Sequence, residues 1–239
     1  MRNTAIAVVL LLLAGCSSPP DAAPPSAAAA APADGFVDTF AVDPSDWSST
    51  GSNPYFILEP GWVFVFEGEE DGELVRLAIT VLPETKVVDG VETRVVEERE
   101  SEGGELAEVS RNYFAFSKKD GGVYYFGEDV DEYEDGEVVK HGGSWQSGVN
   151  GARFGLMMPA APTVGMRWYQ ELAPGVAMDR CEVVSLDESV EVEGRLMKCL
   201  RTKESSAVEK GEEFKSYAPG IGLVRDGALK LVRHEKKTR

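Results

Sequence analysis

The sequence predicts an all-β or β-rich fold: a single antiparallel meander domain with little helix, built as an open barrel, a curved sheet or a sandwich. Two observations predict it. Short turn motifs containing glycine recur from residue 71 to residue 136 at spacings of roughly 14 to 18 residues, and β-rich runs lie between them. The motifs are Glu70-Asp71-Gly72, Asp89-Gly90, Gly103-Gly104, Asp120-Gly121-Gly122, Asp135-Gly136 and, near the C-terminus, Asp226-Gly227. Their Asp and Gly residues accept the positive φ that tight hairpins require.

The first segment has the features of a secretory signal peptide. Arg2 precedes an apolar run over residues 6–13, and small residues follow that run. The run is too short to cross a bilayer as a helix. We therefore interpret residues 1–15 as a signal peptide.

The end of that segment, Leu13-Ala14-Gly15-Cys16, resembles the lipobox of bacterial lipoproteins. The resemblance implies cleavage before Cys16, acylation of its thiol, and a membrane anchor outside the cytoplasm. Several acyl chains on one cysteine hold a protein durably, because each buried CH₂ contributes about 0.8 kcal/mol. If the organism has two membranes, Ser17 after the cysteine implies sorting to the outer one. The alternative is a buried or disulfide-bonded cysteine behind an ordinary signal peptide.

Residues 16–35 read as the lipidated cysteine and a tether. The segment is almost wholly Ser, Pro and Ala, and its prolines interrupt any long helical run. We expect a β-rich globular domain over residues 36–234 and a basic tail over residues 235–239. The formal charge of −17, from 41 acidic and 24 basic residues, argues against binding to nucleic acid, whose phosphates need basic patches.

Within the domain, residues 62–66 are apolar on both alternating faces, which predicts a central strand covered on both sides. Residues 75–81 have one apolar face. Residues 91–100 carry charges on both faces toward their end, which predicts a solvent-exposed or edge strand. Residues 106–116 fit helical spacing too, but their aromatic run favours a strand. Residues 142–162 predict a long connection without strands, followed by strand-like runs at 166–172, 180–186, 190–199 and 222–232.

Three ordered signatures in the domain resemble a group of uncharacterised secreted bacterial proteins. They are Asn53-Pro54-Tyr55-Phe56 with Pro60-Gly61-Trp62, then Tyr125-Phe126-Gly127-Glu128-Asp129, then residues 217–224, YAPGIGLV. The resemblance supports the architecture and the export of the chain, and it implies no catalytic residues.

Cys181 and Cys199 lie in neighbouring strand-like runs, and export places them in an oxidising compartment. We therefore predict a disulfide between them, with two buried free thiols as the alternative. No Cys-x-x-Cys spacing exists to indicate redox catalysis.

The acidic stretch over residues 127–137 raises the question of a cation site. It fails as an EF-hand, because Tyr133 and Gly142 occupy ligand positions. A looser carboxylate site is the alternative to ordinary exposed acids around a hairpin turn. Its residues would be Glu128, Asp129 and Asp131.

Aromatic residues at strand spacing are the more suggestive feature. In a curved sheet they either pack as core or line a cavity for an apolar ligand. The candidate lining residues are Trp62, Phe64, Phe66, Phe114, Phe116, Trp145 and Trp168.

Only two histidines are present, and no Gly-x-Ser-x-Gly motif accompanies His141 and Ser144. We therefore expect no enzyme and no cofactor or metal. The expected function is that of a lipid-anchored envelope protein that binds an apolar small molecule or a protein partner. The alternatives are a structural or assembly role in the envelope and, less favoured, a hydrolase with a carboxylate site.

Overall fold

Antiparallel strands dominate the computed structural model, which describes residues 35–208 and 210–237. The predicted all-β meander is confirmed: within those ranges the one helical segment is the 3-10 turn Pro44–Asp46. No helix of the described residues is long and apolar enough to cross a membrane. The predicted signal peptide, Cys16 and nearly all of the tether lie outside the described residues.

Three two-residue strands precede the main run of the sheet: β1 (Trp47–Ser48), β2 (Ser52–Asn53) and β3 (Phe56–Ile57). The first half of the sheet then comprises β4 (Trp62–Glu70), β5 (Glu73–Val88), β6 (Val91–Glu102), β7 (Glu105–Ser117), β8 (Val123–Glu134) and β9 (Glu137–Lys140). Short strands follow as β10 (Trp145–Gln146), β11 (Arg153–Met158), β12 (Arg167–Tyr169) and β13 (Glu171–Leu172). The last strands are β14 (Asp179–Val192), β15 (Arg195–Ser206), β16 (Glu212–Ala218), β17 (Gly222–Asp226) and β18 (Leu229–Lys236).

The main sheet runs in the order β12-β14-β15-β16-β17-β18-β4-β5-β6-β7-β8-β11-β13. Its strands pair antiparallel throughout, and β1, β9 and β10 add to β7 and β8 beside this path. The C-terminal strand therefore returns to pair with the first long strand, Leu231 standing opposite Phe66.

One extended segment, residues 167–172, belongs to both ends of the sheet. Its first half is β12, which pairs with β14 through Trp168 and Cys181. Its second half is β13, which pairs with β11 through Glu171 and Phe154. Because the two ends of the strand order meet in consecutive residues, the curved sheet is nearly closed into a barrel.

The hairpin turns form where the sequence predicts them. Asp71, Asp89 and Asp135 each have a positive φ, between 50° and 52°, and each is followed by a glycine whose φ is also positive. Such pairs match the twist of the flanking strands. The prediction of a central, doubly covered strand is also confirmed, because β4 lies between β18 and β5 and residues 63–66 are all buried.

The prediction of an edge strand at residues 91–100 is wrong. β6 pairs with β5 on one side and with β7 on the other. A charge on its outward face is paired with a neighbouring strand, because Glu97 forms an ion pair with Arg111 of β7 at 3.1 Å. The charges on its other face point into the barrel.

Three further boundaries differ from the sequence prediction. Residues 142–162 contain the short strands β10 and β11 instead of an unbroken connection. The predicted run 190–199 is interrupted by a hairpin turn, where Glu193 and Gly194 both have positive φ. The predicted tail from residue 235 is also too long, because Glu235 and Lys236 still pair with Val63 and Trp62.

The predicted disulfide is wrong: Cys181 and Cys199 are free and buried. Their strands are neighbours, as expected, but the register separates them. Cys181 stands opposite Glu204, which lies five residues beyond Cys199 on β15. At about 3.3 Å per residue that offset is on the order of 16 Å, whereas a disulfide needs Cα atoms within about 7 Å.

A substitution at Gly155 tests whether residues 167–172 close the sheet. A Cβ atom at Gly155 would lie 2.2 Å from the Gln170 carbonyl oxygen, so alanine must push the closing segment away from β11. We expect Gly155→Ala to lower the free energy of unfolding by about 2 kcal/mol or more in urea titrations. The control is Gly142→Ala, whose Cβ meets only the flexible ends of Glu132 and Lys140 and should cost less than about 1 kcal/mol. Equal losses in the two variants would show that the sheet does not close at Gly155.

Candidate functional site

The inward surface of the barrel, here named the lumen face, is fixed by strand register. Residues directly opposite each other on paired strands project to the same side of a sheet. Phe64, Ile79 and Glu98 are opposite one another across β4, β5 and β6, and all three line one cavity. The next level toward the turns repeats the pattern with Phe66, Leu77 and Glu100.

The cavity measures about 90 Å³ and has mostly apolar walls. Phe64 and Phe66 of β4, Ile79 and Val81 of β5, and Phe114 of β7 form much of its wall. The Tyr55–Ile57 region and Ile221–Leu223 close it on the side of the β16–β17 turn. The first of these segments is held in a turn, because the Asn53 side chain accepts a hydrogen bond from the Tyr55 N–H at 2.9 Å.

Carboxylates gather on the lumen face toward one end of the barrel. Glu98 and Glu100 of β6 are followed across the sheet by Glu108 of β7, which stands opposite Glu100. This is the end at which the turns at Gly72, Gly103 and Gly227 lie, because β4, β6 and β17 run in the same direction. The lumen face is therefore apolar toward one end and acidic toward the other.

Lys215 is held on this face by two carboxylates. Its ammonium lies 3.3 Å from Glu204 Oε2 and 3.3 Å from Asp226 Oδ2. The Tyr217 hydroxyl and the Gln170 amide each donate to Glu204 Oε1 at 3.4 Å. Burial alone would lower the pKa of Lys215, but the two carboxylates outweigh it and raise that pKa well above its usual range.

Two carboxyl groups at the cavity have oxygens that accept no hydrogen bond from the described residues. Glu98 lines the cavity and is half-buried, and within residues 35–208 and 210–237 its side chain makes no hydrogen bond or ion pair. Asp226 uses Oδ2 for Lys215, while its buried Oδ1 has no hydrogen-bond partner among the same residues. An unsatisfied buried polar atom such as Asp226 Oδ1 is costly, so the cavity wall beside it is a position where a donor would bind favourably.

Burial and mutual repulsion perturb the lumen carboxyls. Burial, followed by the charges of Asp226, Glu108 and Glu100, raises the pKa of Glu98 to about 7 against the lowering effect of Lys215. Burial also raises the pKa of Glu128 to about 7, and the charge of Glu98 adds to it. Glu98 and Glu128 therefore change charge near neutral pH.

Three of the seven aromatic residues predicted to line a cavity line the lumen cavity: Phe64, Phe66 and Phe114. A fourth, Trp145, lines a separate pocket beside Gln146. Trp62 stacks on Phe64 and His234, and Trp145 packs edge-on against Tyr125. Phe116 covers Gly51, and Trp168 is fully buried within the segment 167–172 that closes the sheet.

The predicted carboxylate triad is not brought together. Asp129 bonds Lys86 at 2.8 Å and also accepts from Tyr113 and Gln146. Asp131 contacts His141 at 2.7 Å, whereas Glu128 belongs to the lumen face. In the part of the chain that the structure describes, no three metal-ligating side chains form a cluster.

The side chains of His141 and Ser144 bind different partners. His141 Nδ1 pairs with Asp131, and the Ser144 hydroxyl accepts from the Val130 N–H at 2.9 Å. Within the described ranges no hydrogen bond joins the histidine to the serine, so the geometry does not assemble a Ser-His-Asp site there.

Sequence reasoning missed Glu98, Lys215 and Asp226, the charged residues of the cavity. The sequence feature that could have indicated them is the run over residues 97–100. It places two acids, Glu98 and Glu100, on one face of the strand, and an acid and a base on the other face. We interpreted both faces as solvent-exposed, whereas one of them faces the lumen.

No family model matches the chain. Neither the curated proteins nor the solved structures contain a match to it. Its function must therefore be argued from the lumen itself.

The raised pKa values of Glu98 and Glu128 predict a pH effect on stability. A carboxyl whose pKa rises from 4.5 to about 7 on folding binds more protons in the folded state between those values. Raising the pH through that window therefore removes stability. We expect the double variant Glu98→Gln/Glu128→Gln to lose less free energy of unfolding than the wild type between about pH 5 and pH 7.5, by on the order of 2 kcal/mol.

Urea titrations at several pH values measure this difference. The matched control is Glu97→Gln, which removes the same charge from the outward face of β6 and should follow the wild-type pH profile. Parallel profiles for the wild type and the double variant would contradict the assignment of these acids to a poorly solvated lumen.

Proposed function

We propose that the protein is a non-enzymatic, membrane-anchored binding module of the cell envelope whose barrel lumen holds a small ligand with an apolar group. The cavity on the lumen face supports this proposal most directly. It combines apolar walls from Phe64, Ile79 and Val81 with a few polar groups that converge on the same space, Glu98 among them. That combination is typical of small-molecule sites.

The size of the cavity narrows the ligand class. The cavity has a volume of about 90 Å³. It fits a short aliphatic group better than the acyl chain of a lipid. The apolar ligand expected from the sequence thus becomes a small molecule instead of a carried lipid.

Support for a membrane anchor comes from the sequence. The lipobox resemblance at Cys16 and the Pro- and Ala-rich segment that follows support attachment to a membrane outside the cytoplasm, with the domain held away from it. In an organism with two membranes, Ser17 supports the outer one.

Filling the cavity should abolish binding. Val81→Phe places a larger side chain in the cavity wall, and we expect it to weaken binding of 1-butanol, used as a small apolar probe, by at least about tenfold in NMR titrations. Val87→Phe is the matched control, since Val87 lies on the same strand with 68% of its surface exposed.

Val81 is buried, so its variant must be checked for folding by circular dichroism. Leu223→Phe is a second cavity-filling variant at a less buried wall position. If 1-butanol binds equally to the wild type and to both folded cavity-filling variants, the cavity is not the binding site.

The anchor has its own test in cells. Cys16→Ser removes the thiol that the resemblance assigns to acylation, so we expect loss of labelling by a fatty-acid analogue and release of the protein from the membrane fraction. The control, Ser18→Ala, leaves the lipobox intact and should fractionate as the wild type does. Unchanged membrane association of Cys16→Ser would refute lipidation at this residue.

A further inference from the structure

The charged residues at the cavity suggest which polar group a ligand would carry. Lys215 already shows how an ammonium is accommodated here, because its Nζ lies 3.3 Å from one oxygen each of Glu204 and Asp226. The lumen face thus stabilises a positive charge through converging carboxylates, and both ion pairs of Lys215 are made to Glu204 and Asp226.

Negative charge remains after that pairing. Glu98 makes no hydrogen bond or ion pair with the described residues, and Asp226 Oδ1 accepts no hydrogen bond from them. With Glu98, Glu204 and Asp226 ionised against one ammonium, two negative charges are left uncompensated beside the cavity. Glu100 and Glu108 lie on the same face one level further toward the turns and add to this negative field.

The unpaired oxygens and the apolar wall border the same space. Glu98 stands directly opposite Ile79 in the register, and Ile79 stands directly opposite Phe64. A ligand with a short alkyl group against Ile79 and Phe64 would therefore place a terminal polar group near Glu98.

We propose that the lumen cavity selects a small aliphatic ammonium compound, whose protonated amine contacts Glu98 and Asp226 while its alkyl group fills the apolar part of the cavity. This inference rests on the proposed function of the cavity as a small-molecule site. Charge-assisted hydrogen bonds from an ammonium to buried carboxylates are stronger than bonds from a neutral hydroxyl, which is the physical source of the selectivity.

Other ligand classes fit the same residues less well. An anion would meet Glu98 and Asp226 without a free cation to pair with, since Lys215 is occupied. A divalent metal ion needs several converging oxygens, and the described residues form no cluster of three metal ligands.

The test compares n-butylammonium, 1-butanol and butyrate, three probes of similar size, by NMR titration of the domain at about pH 8, where Glu98 is ionised and the amine is protonated. We expect the wild type to bind n-butylammonium at least about tenfold more tightly than 1-butanol. Glu98→Gln should reduce that preference to less than about threefold while leaving 1-butanol binding in place. Glu97→Gln, the outward neighbour on the same strand, should keep the wild-type preference.

Asp226→Asn provides a second variant in case Glu98→Gln does not fold, and it should also weaken the preference for the amine. The inference fails, and cavity binding stands, if 1-butanol binds as tightly as n-butylammonium or if Glu98→Gln and Glu97→Gln behave alike. Tighter binding of butyrate would overturn it as well. If neither n-butylammonium nor 1-butanol binds, both the proposed function and this inference are wrong.

Discussion

The rest of the structure depends on the double pairing of residues 167–172. β12 completes one end of the strand order against β14, and β13 completes the other against β11. Without that segment the sheet would have two open edges and an inner surface exposed to water, where charged and apolar residues would be equally solvated. Closure at Gly155 and Gln170, where the two backbones approach too closely for any side chain, creates an enclosed interior.

Enclosure changes the ionisation of the carboxyl groups on the lumen face. Glu98 and Glu100 sit in a poorly solvated space with few compensating cations, so burial raises the pKa of both carboxyl groups. Lys215 stays charged because Glu204 and Asp226 flank it. The same aromatic side chains that fill the apolar end leave a cavity where the apolar and acidic regions meet. Ligand selectivity follows from the boundary between these two regions, where the Glu98 carboxyl meets the apolar wall.

The sequence was sufficient for the fold class because local signals determine it. Turns such as Asp71–Gly72 and Asp89–Gly90 fix hairpins through backbone conformation, and the alternation in β4 and β5 separates buried from exposed positions. The acidic strand β6 was assigned to an edge because alternation distinguishes apolar from polar positions but does not distinguish outside solvent from a lumen.

Long-range register was the part that local patterns could not supply. A Cys181–Cys199 bridge depends on which residue of β15 faces Cys181. That register is set by the Glu193–Gly194 turn, which lies inside a run that has the pattern of one continuous strand. Glu98, Lys215 and Asp226 come from β6, β16 and β17, and their meeting at one cavity follows only from the complete strand order.

The most direct test of the lumen account is an NMR titration of the Glu98 side-chain carboxyl carbon, with and without n-butylammonium. The account predicts a pKa near 7 in the free protein, because Glu98 is buried among other acids. It also predicts a clear decrease in that pKa when n-butylammonium is added, and no decrease when 1-butanol is added, since a bound cation favours the ionised carboxylate. An ordinary glutamate pKa in the free protein, or a pKa that n-butylammonium leaves unchanged, would contradict the account.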